Sequence, residues 1–372
     1  MSTTGNNTWS NLLTPLSWLY GALVWIRNAL YDNEILPSTG FNMPIISVGN
    51  ITVGGTGKTP HVEYLAQLML EDNLHVATLS RGYKRKTRDF RIASPDSTAR
   101  EIGDEPSQIK RRFPEITVAV DRKRVDGIRN LMKLSPPLEV ILLDDAYQHR
   151  SLKPGFSILL IDYDRPLDRD QLLPAGRLRE PASNRTRANI ILVTRSPERI
   201  KPIELREYVN RLEPAIGQHL YFTSMRYGDL LPVYPDTPVK EVAWFKEHIK
   251  EVLIVSGIAN PRHLRQYARS ICTNITEISF PDHHHYTPGD LKKISLKFNE
   301  LSNNESEVMI LTTEKDAMRL REHSPGQELK SSMYAVRIHV HFLHDDKENF
   351  DRQIRDYVSS NKRGSILYKE ED

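Results

Sequence analysis

Apolar residues near the start of the chain recur at helical spacing: Leu12, Leu16, Leu19, Leu23, Ile26 and Leu30. Asn11, Thr14, Ser17, Gly21 and Asn28 fall mostly between them, the pattern of an amphipathic helix. Pro15, Ser17, Arg27 and Asn28 break the run over 9–31, which therefore falls short of the about 20 consecutive apolar residues of a membrane span. Trp9, Trp18 and Trp25 are three of the chain's four tryptophans, and indole favours the membrane–water boundary. Two readings follow: a helix lying in a lipid interface, or a helix packed on the body of the protein. Both hold if one edge meets protein and the other lipid.

From residue 43 the period changes. Continuous apolar runs at 44–49, 75–80, 116–120, 139–145, 157–163 and 190–194 predict strands buried on both faces. Helical stretches at 58–72 and 121–134 fall between them. That rhythm predicts an α/β fold of P-loop NTPase-like kind, a doubly wound, mainly parallel sheet. The stretch 225–250 is rich in proline and charge and reads as a connection. A second rhythm follows, with strands expected at 252–256, 275–280, 308–312 and 334–342 and helices at 260–270, 287–301, 315–322 and 349–359. The expected organisation is an N-terminal helix (1–35), a nucleotide-binding core (36–225), a connection (226–250), a smaller α/β lobe (251–360) and a disordered tail (361–372).

Composition narrows this only a little. The chain has 372 residues, 39% hydrophobic and 27% charged, and a net charge of +3. It is an ordinary globular balance that gives no reason to expect nucleic acid. One cysteine, Cys272, excludes an intramolecular disulfide and any multi-cysteine metal site. The start "MSTTGNNTWS" has neither a basic n-region nor a small-residue cleavage site, so no signal peptide is expected. The positive charge is clustered: Arg81, Lys84, Arg85, Lys86, Arg88 and Arg91 in one run, Arg122, Lys123, Arg124 and Arg129 in another. Each is either a solvated face or a funnel for an anion.

The chemistry begins at "SVGNITVGGTGKTP" (47–60). It resembles a phosphate-binding loop of the form G-x-x-x-x-G-K-[ST], with Thr52 where the first glycine usually stands. An apolar strand precedes it and a helix follows. Thr52, Val53, Gly54, Gly55, Thr56 and Gly57 would wrap phosphates with backbone amides, the curl coming from the three glycines. Lys58 would reach the terminal phosphates, and Thr59 would place a hydroxyl on Mg²⁺. "EVILLDDAYQH" (139–149) ends a strand in Asp144 and Asp145, where carboxylates hold the metal beside such a loop. A guanine-specific N-K-x-D is not matched, because Lys315 and Asp316 are adjacent in "TTEKDA"; ATP is therefore the expected nucleotide. For phosphoryl transfer to an alcohol, the base is Asp104 of "GDEP" (103–106), read as a loop, or a histidine of "PDHHHY" (281–286). A zinc site is not expected from three adjacent histidines without a nearby cysteine.

Taken in order, "SVGNITVGGTGKTP", "LSRGYKRK", "GDEP", "VAVDRKRVDGI", "LLDDAYQHRSLK", "LLPAGRLREP", "GIANP", "FPDHHHY" and "LTTEKDAMRL" resemble the tetraacyldisaccharide 4'-kinase family, the lipid A 4'-kinases of Gram-negative bacteria. The resemblance implies transfer of phosphate from ATP, with Mg²⁺, to the 4'-hydroxyl of a tetraacyldisaccharide 1-phosphate at the cytoplasmic face of the inner membrane. It implies Lys58 and Thr59 on phosphates and metal, Asp144 and Asp145 at the metal directly or through water, and Asp104 as general base paired with His283. Glu105, Tyr83, Arg179 and Glu180 fall in motifs that line the family's active site. Arg122, with its neighbours Lys123 and Arg81, would meet the anionic head of the lipid. The implied partners are an acylated disaccharide in the bilayer and the membrane surface, with no nucleic acid and no obligate protein partner. Two positions depart from the family's pattern: Ala146 stands for a usual glycine, and "GRLREP" has Arg177 where proline is common. A kinase of a soluble small molecule, or a nucleotide-switched binding protein, would use the loop but leave the N-terminal stretch unexplained.

Overall fold

The computed structural model describes residues 8–235, 237–258, 260–302 and 307–367. Among them, the apolar runs form strands whose side chains are buried on both faces, as in β1 (Ile45–Gly49) and β2 (Val76–Ser80). The remaining strands are β3 (Arg91–Ile92), β4 (Thr117–Val120), β5 (Val140–Asp144), β6 (Phe156–Asp162), β7 (Ile190–Thr194), β8 (His219–Pro232), β9 (Glu251–Ser256), β10 (Ile275–Ser279), β11 (Val308–Thr313) and β12 (Met333–Phe342). All twelve join one sheet, in the order β10-β9-β11-β12-β8-β7-β6-β1-β5-β2-β4-β3. Neighbours run parallel except β8 against β12 and β3 against β4. β1 lies between β5 and β6, so the loop after β1 and the end of β5 meet at the carboxyl edge of the sheet, where ligands bind in such folds.

Among the described residues, twelve α-helices accompany the sheet: α1 (Thr8–Asp32), α2 (Lys58–Glu71), α3 (Ala99–Ile102), α4 (Asp104–Arg112), α5 (Arg124–Leu131), α6 (Pro202–Leu212), α7 (Val242–His248), α8 (Arg262–Ile271), α9 (Pro288–Ser302), α10 (Glu314–Leu320), α11 (Gln327–Ser331) and α12 (Lys347–Leu367). "GDEP" is therefore not a loop. Gly103 turns the chain at φ 99°, and Asp104 and Glu105 open α4, where acidic residues suit the helix N-terminus. Proline at the third helical residue fits, because the first amides of a helix have no partner within it.

Two further segments differ from expectation. Residues 226–232 continue β8, and 242–248 form α7, within the stretch read as a connection. Gly228 and Pro232 gave this strand the look of a turn. Gly228 is instead required by close approach, since a Cβ there would stand 2.8 Å from the His339 ring on β12. β8 thus runs parallel to β7 and antiparallel to β12, joining the two α/β rhythms in one sheet. At the other end, α12 runs on to Leu367, and 368–372 of the expected tail lie outside the described residues. Phe350, Ile354 and Val358 on α12 recur every fourth residue and sink into the same core as Ile46 and Val48 of β1 and Val62, Leu65 and Met69 of α2.

Helix α1 packs the opposite way from an ordinary surface helix. Its small and polar side meets the body: Ser17, Val24 and Asn28 are buried, and a Cβ on Gly21 would stand 2.7 Å from Leu172. Its apolar stripe of Leu12, Leu16, Leu19, Leu23 and Ile26 faces out, with Trp18 and Trp25 73% and 67% exposed. The side chain of Trp9 lies outside the described residues. No helix among the described residues is long and apolar enough to cross a membrane.

Candidate active site

The phosphate loop runs from Asn50 to Gly57, between β1 and α2. Thr52 needs no glycine because its backbone is extended and bridges antiparallel to Leu178. On either side, Val53 N–H donates to Arg177 O at 2.8 Å and Arg179 N–H to Ile51 O at 2.8 Å. Within the loop only Gly54 (φ 107°) and Gly57 (φ 83°) are left-handed; Gly55, expected to share the curl, is not. A Cβ on Gly57 would also run into the Met225 methyl. Asn50 Nδ2 donates to Thr56 Oγ1 at 2.8 Å, and Thr194 Oγ1 donates to Thr56 O at 2.8 Å, which pins the loop's buried side. Lys58 and Thr59 follow as the first turn of α2.

Asp144 closes β5 and Asp145 follows at φ 51°. Their side chains are used differently. Asp145 is tied to Lys58 Nζ at 3.7 Å and to Arg179 Nη2 at 3.0 Å. Burial pushes its carboxyl up, but these two cations hold it below the usual range. Asp144 is fully inside, and its Oδ1 has no hydrogen-bond partner. Burial pushes its carboxyl up to about 7, against the pull of Lys58. An orphaned carboxylate beside Lys58 and Thr59 fits a divalent cation. No group of three or more His, Cys, Asp or Glu among the described residues forms a cage; one or two carboxylates plus the nucleotide's own phosphates is how Mg²⁺ is commonly held.

The expected base opens α4. Asp104 Oδ2 is 3.1 Å from His283 Nδ1, which joins a helix of the first α/β rhythm to a loop of the second. Arg319 on α10 grips the same carboxylate, with Nε donating to Oδ1 at 3.1 Å and Nη2 to Oδ2. Burial would raise the Asp104 carboxyl, but His283 and Arg319 hold it well below the carboxylate range. Beside it Glu105 pairs with Lys315 at 2.6 Å. Burial opposes the Lys315 charge, while Glu105, Asp104 and Asp144 together keep its pKa raised. Lys315 therefore links the Asp104–Glu105 pair electrostatically to Asp144 at the end of β5. Glu63 on α2 accepts from Gln108 Nε2 at 2.8 Å and pairs with Arg112 at 2.5 Å, fixing α4 against the helix that starts at the loop.

The other expected residues divide. Tyr83 and Arg81 are exposed at the rim, and the Tyr83 ring meets His283 edge-on at 5.6 Å. Arg122 and Lys123 are exposed, but Arg124 of the same run is buried and donates to the Asp121 and Asp144 carbonyls. Arg179 binds Asn50 as well as Asp145. Glu180 is fully buried and accepts from Arg187 (2.5 Å), Asn184 (2.7 Å) and Asn28 of α1 (3.4 Å), contacts that hold the loop and α1 together. Arg177, at the position where proline is common, donates its N–H to Asp170 Oδ1 at 3.0 Å, a bond proline could not make. His284 turns away from the site to Asp290, at 2.9 Å. Sequence reasoning assigned no role to Lys315, Arg319 or Arg195. Arg195 Nη2 lies 3.5 Å from where a Cβ would stand on Gly55, and no spacing marks it in the chain.

A strand, a two-glycine turn and a Lys-Thr helix start on a doubly wound sheet define a protein of the P-loop class. Comparison with known proteins narrows this: the family described as tetraacyldisaccharide-1-P 4'-kinase (LpxK) matches residues 9–359, and the chain belongs to it. The tetraacyldisaccharide 4'-kinase of Bacteroides thetaiotaomicron is 46% identical over 368 residues, covering 97% of this chain and 96% of that protein. That of Phocaeicola vulgatus is 47% identical over 365 residues, covering 96% and 97%. Among solved structures, an "apo" form of LpxK from Aquifex aeolicus in complex with ATP matches with a TM-score of 0.73 at 30% identity, over 94% of this chain and 100% of that one.

Proposed function

We propose that this chain transfers the γ-phosphate of ATP to the 4'-hydroxyl of a tetraacyldisaccharide 1-phosphate, working on a bilayer surface at the cytoplasmic face of the inner membrane, where ATP is supplied. The observation that carries the reading is Arg179. Its carbonyl accepts from Tyr20 of α1 at 2.9 Å, while its guanidinium binds Asn50 and Asp145 of the phosphate site. The helix that turns leucines outward is thus joined through one residue to the loop that would hold ATP. Burying a leucine or isoleucine side chain in lipid is worth about 1.5–3 kcal/mol, so Leu12, Leu16, Leu19, Leu23 and Ile26 together suffice to hold the protein at an interface.

The geometry supports the following roles. Backbone amides of 52–57 cradle the phosphates, and Lys58 neutralises the terminal ones. Asp144 and Thr59 would hold Mg²⁺, with Asp145 orienting Lys58 and Arg179; the ion neutralises charge on the transferring group when bound. Asp104 and His283 receive the proton of the attacking hydroxyl. Glu105 holds Lys315 near the path of transfer, and Glu180 keeps the Arg179 loop in place. Arg81, Tyr83, Arg122 and Lys123 line the approach for an anionic head group.

Mass spectrometry of lipid disaccharide incubated with ATP and Mg²⁺ in detergent micelles is expected to show addition of one phosphate; no addition overturns the reading. Exchanging Leu16, Leu19 and Leu23 for serine should abolish flotation with liposomes while leaving the melting temperature within about 2 °C, because exposed positions contribute little to folding. Unchanged flotation would remove the membrane from the proposal.

A further inference from the structure

We propose that Arg195 holds the nucleoside end of ATP, its guanidinium lying flat against the base. This rests on the reading above, in which the loop after β1 holds ATP. β1 lies between β5 and β6. The β5 side carries Asp144 and Asp145, and Lys315 joins Asp144 electrostatically to Asp104. The transferring phosphate faces that side, so the nucleoside leaves over the ends of β6 and β7. Arg195 is the first residue after β7.

The chain there is built to aim one cation. Thr194 Oγ1 donates to Thr56 O at 2.8 Å and ties the end of β7 to the phosphate loop. Arg195 then turns left-handed at φ 57°, a conformation uncommon for a residue with a side chain and one that needs support from its surroundings. Ser196 supplies it: its N–H donates to Thr223 O and its hydroxyl to Val193 O, each at 2.9 Å. The turn swings the guanidinium back over the open side of the loop, with Nη2 3.5 Å from where a Cβ on Gly55 would stand. An alanine at 55 would just touch it, and any longer side chain would push it aside. Nη1 donates to Asp162 Oδ2 at 3.0 Å, and Asp162, buried at the end of β6, accepts from the Asp164 N–H at 3.0 Å through its other oxygen. Asp162 thus answers the charge from the edge of the guanidinium, and the side chain stays 34% exposed. A guanidinium paired at its edge still has its planar face for an aromatic ring. Residues 196–198 leave no group to read the edge of a base: the Ser196 hydroxyl is used, Pro197 has no polar side chain, and Glu198 pairs with Arg226 at 2.8 Å. The contact is therefore with the plane of the base. Arg195 also acts electrostatically on Tyr227 of β8 and on His263 at the start of α8, so elements of both α/β rhythms border this end of the site.

The test separates a contact with the base from a contact with the phosphates. Binding of ATP and of inorganic tripolyphosphate, which has no base, is measured by calorimetry for wild type, Arg195→Ala, Arg195→Lys and Lys58→Ala. Arg195→Ala should weaken ATP about 5–30-fold, the range of one cation–π contact, and leave tripolyphosphate within about twofold. Lys58→Ala should weaken both, which places tripolyphosphate in the loop. Arg195→Lys keeps the charge but has no flat face, so it should regain only part of the ATP affinity. In the micelle assay Arg195→Ala should raise KM for ATP by a similar factor with kcat at saturating ATP within about threefold, the sign of binding shared by ground and transition states. Unchanged ATP affinity in Arg195→Ala, equal losses of ATP and tripolyphosphate, or full recovery in Arg195→Lys each overturns the assignment. A kcat lowered more than about tenfold would also overturn it, by moving Arg195 to the reacting phosphates. If Arg195→Ala does not fold, Arg195→Lys decides by the same comparison, and if tripolyphosphate binds too weakly to measure, the split between KM and kcat decides. Absence of lipid phosphorylation by wild type would instead sink the functional reading, and the binding measurements would still report on Arg195.

Discussion

The phosphate loop and the Asp104 station are made in opposite ways. The loop is local and held by backbone: two left-handed glycines, an antiparallel bridge at Thr52 and a helix start. The station is assembled from side chains 179 and 215 residues apart in the chain, held by ion pairs. A backbone-held site tolerates changes of side chain that keep its conformation. A charge-held site fails when one partner is lost, because the other is left buried and unpaired.

The largest expected contrast is between Asp104→Ala and Lys58→Ala. The first should lower kcat about 10²–10⁴-fold and leave KM for ATP within about threefold, the loss typical of a proton-transfer pair. The second should damage both. Steady-state kinetics with labelled ATP separates them, and a normal kcat for Asp104→Ala would break the comparison outright.

Asp144→Asn should cost at least about 100-fold in turnover if this carboxylate serves the metal, and its stability effect has a definite sign. The Asp144 carboxyl is raised from 3.8 to about 7 by burial. A raised carboxyl favours the fold at low pH, and that contribution is lost as pH climbs through the folded value. Without divalent cation at pH 8, the asparagine variant should therefore melt about 1–3 °C above wild type, with the difference vanishing near pH 4. A lower melting point at pH 8 would contradict the burial argument.

Smaller still is Thr52→Gly, which restores the common spelling of the loop. Because Thr52 is extended and bridged, turnover should change less than about threefold, the added freedom bringing only the entropy cost of glycine. The smallest effect is on pH. His61 on α2 is buried between Gly57 O (2.8 Å) and Thr223 Oγ1 (3.1 Å), and burial lowers its ring from 6.5 to about 4. Stability that is full above pH 6.5 should fall as pH drops toward 4, and His61→Gln should flatten that part of the melting curve. Equal slopes would show that other groups govern acid stability.

Much of this was legible in the chain, and the reason is locality. Continuous apolar runs gave the parallel strands, and the Gly-Gly-x-Gly-Lys-Thr spelling gave the loop because its conformation depends on neighbours in sequence. Asp104 and the 281–286 histidines stood out as candidates from their own motifs, but the pairing of Asp104 with His283 came from ordered resemblance, since no period relates residues so far apart. Arg319 and Lys315 were missed because a buried cation on a short helix looks the same in sequence as a solvated one. β8 was missed for a different reason: Gly228 marks close approach to β12, and in sequence that cannot be told from a turn.

The packing of α12 has a consequence for how the protein is made. Phe342, Phe350, Ile354 and Val358 complete the core around β1 and α2, and the Tyr357 hydroxyl bonds both the N–H and the carbonyl of Ile45, at 3.0 and 3.1 Å. The strand that leads into the nucleotide loop is translated well before the side chains that close over it. The first α/β rhythm therefore waits, unfinished and with apolar surface open, until β12 and α12 have followed it. A nonsense codon shortly before residue 342 would leave no stable nucleotide-binding fragment behind.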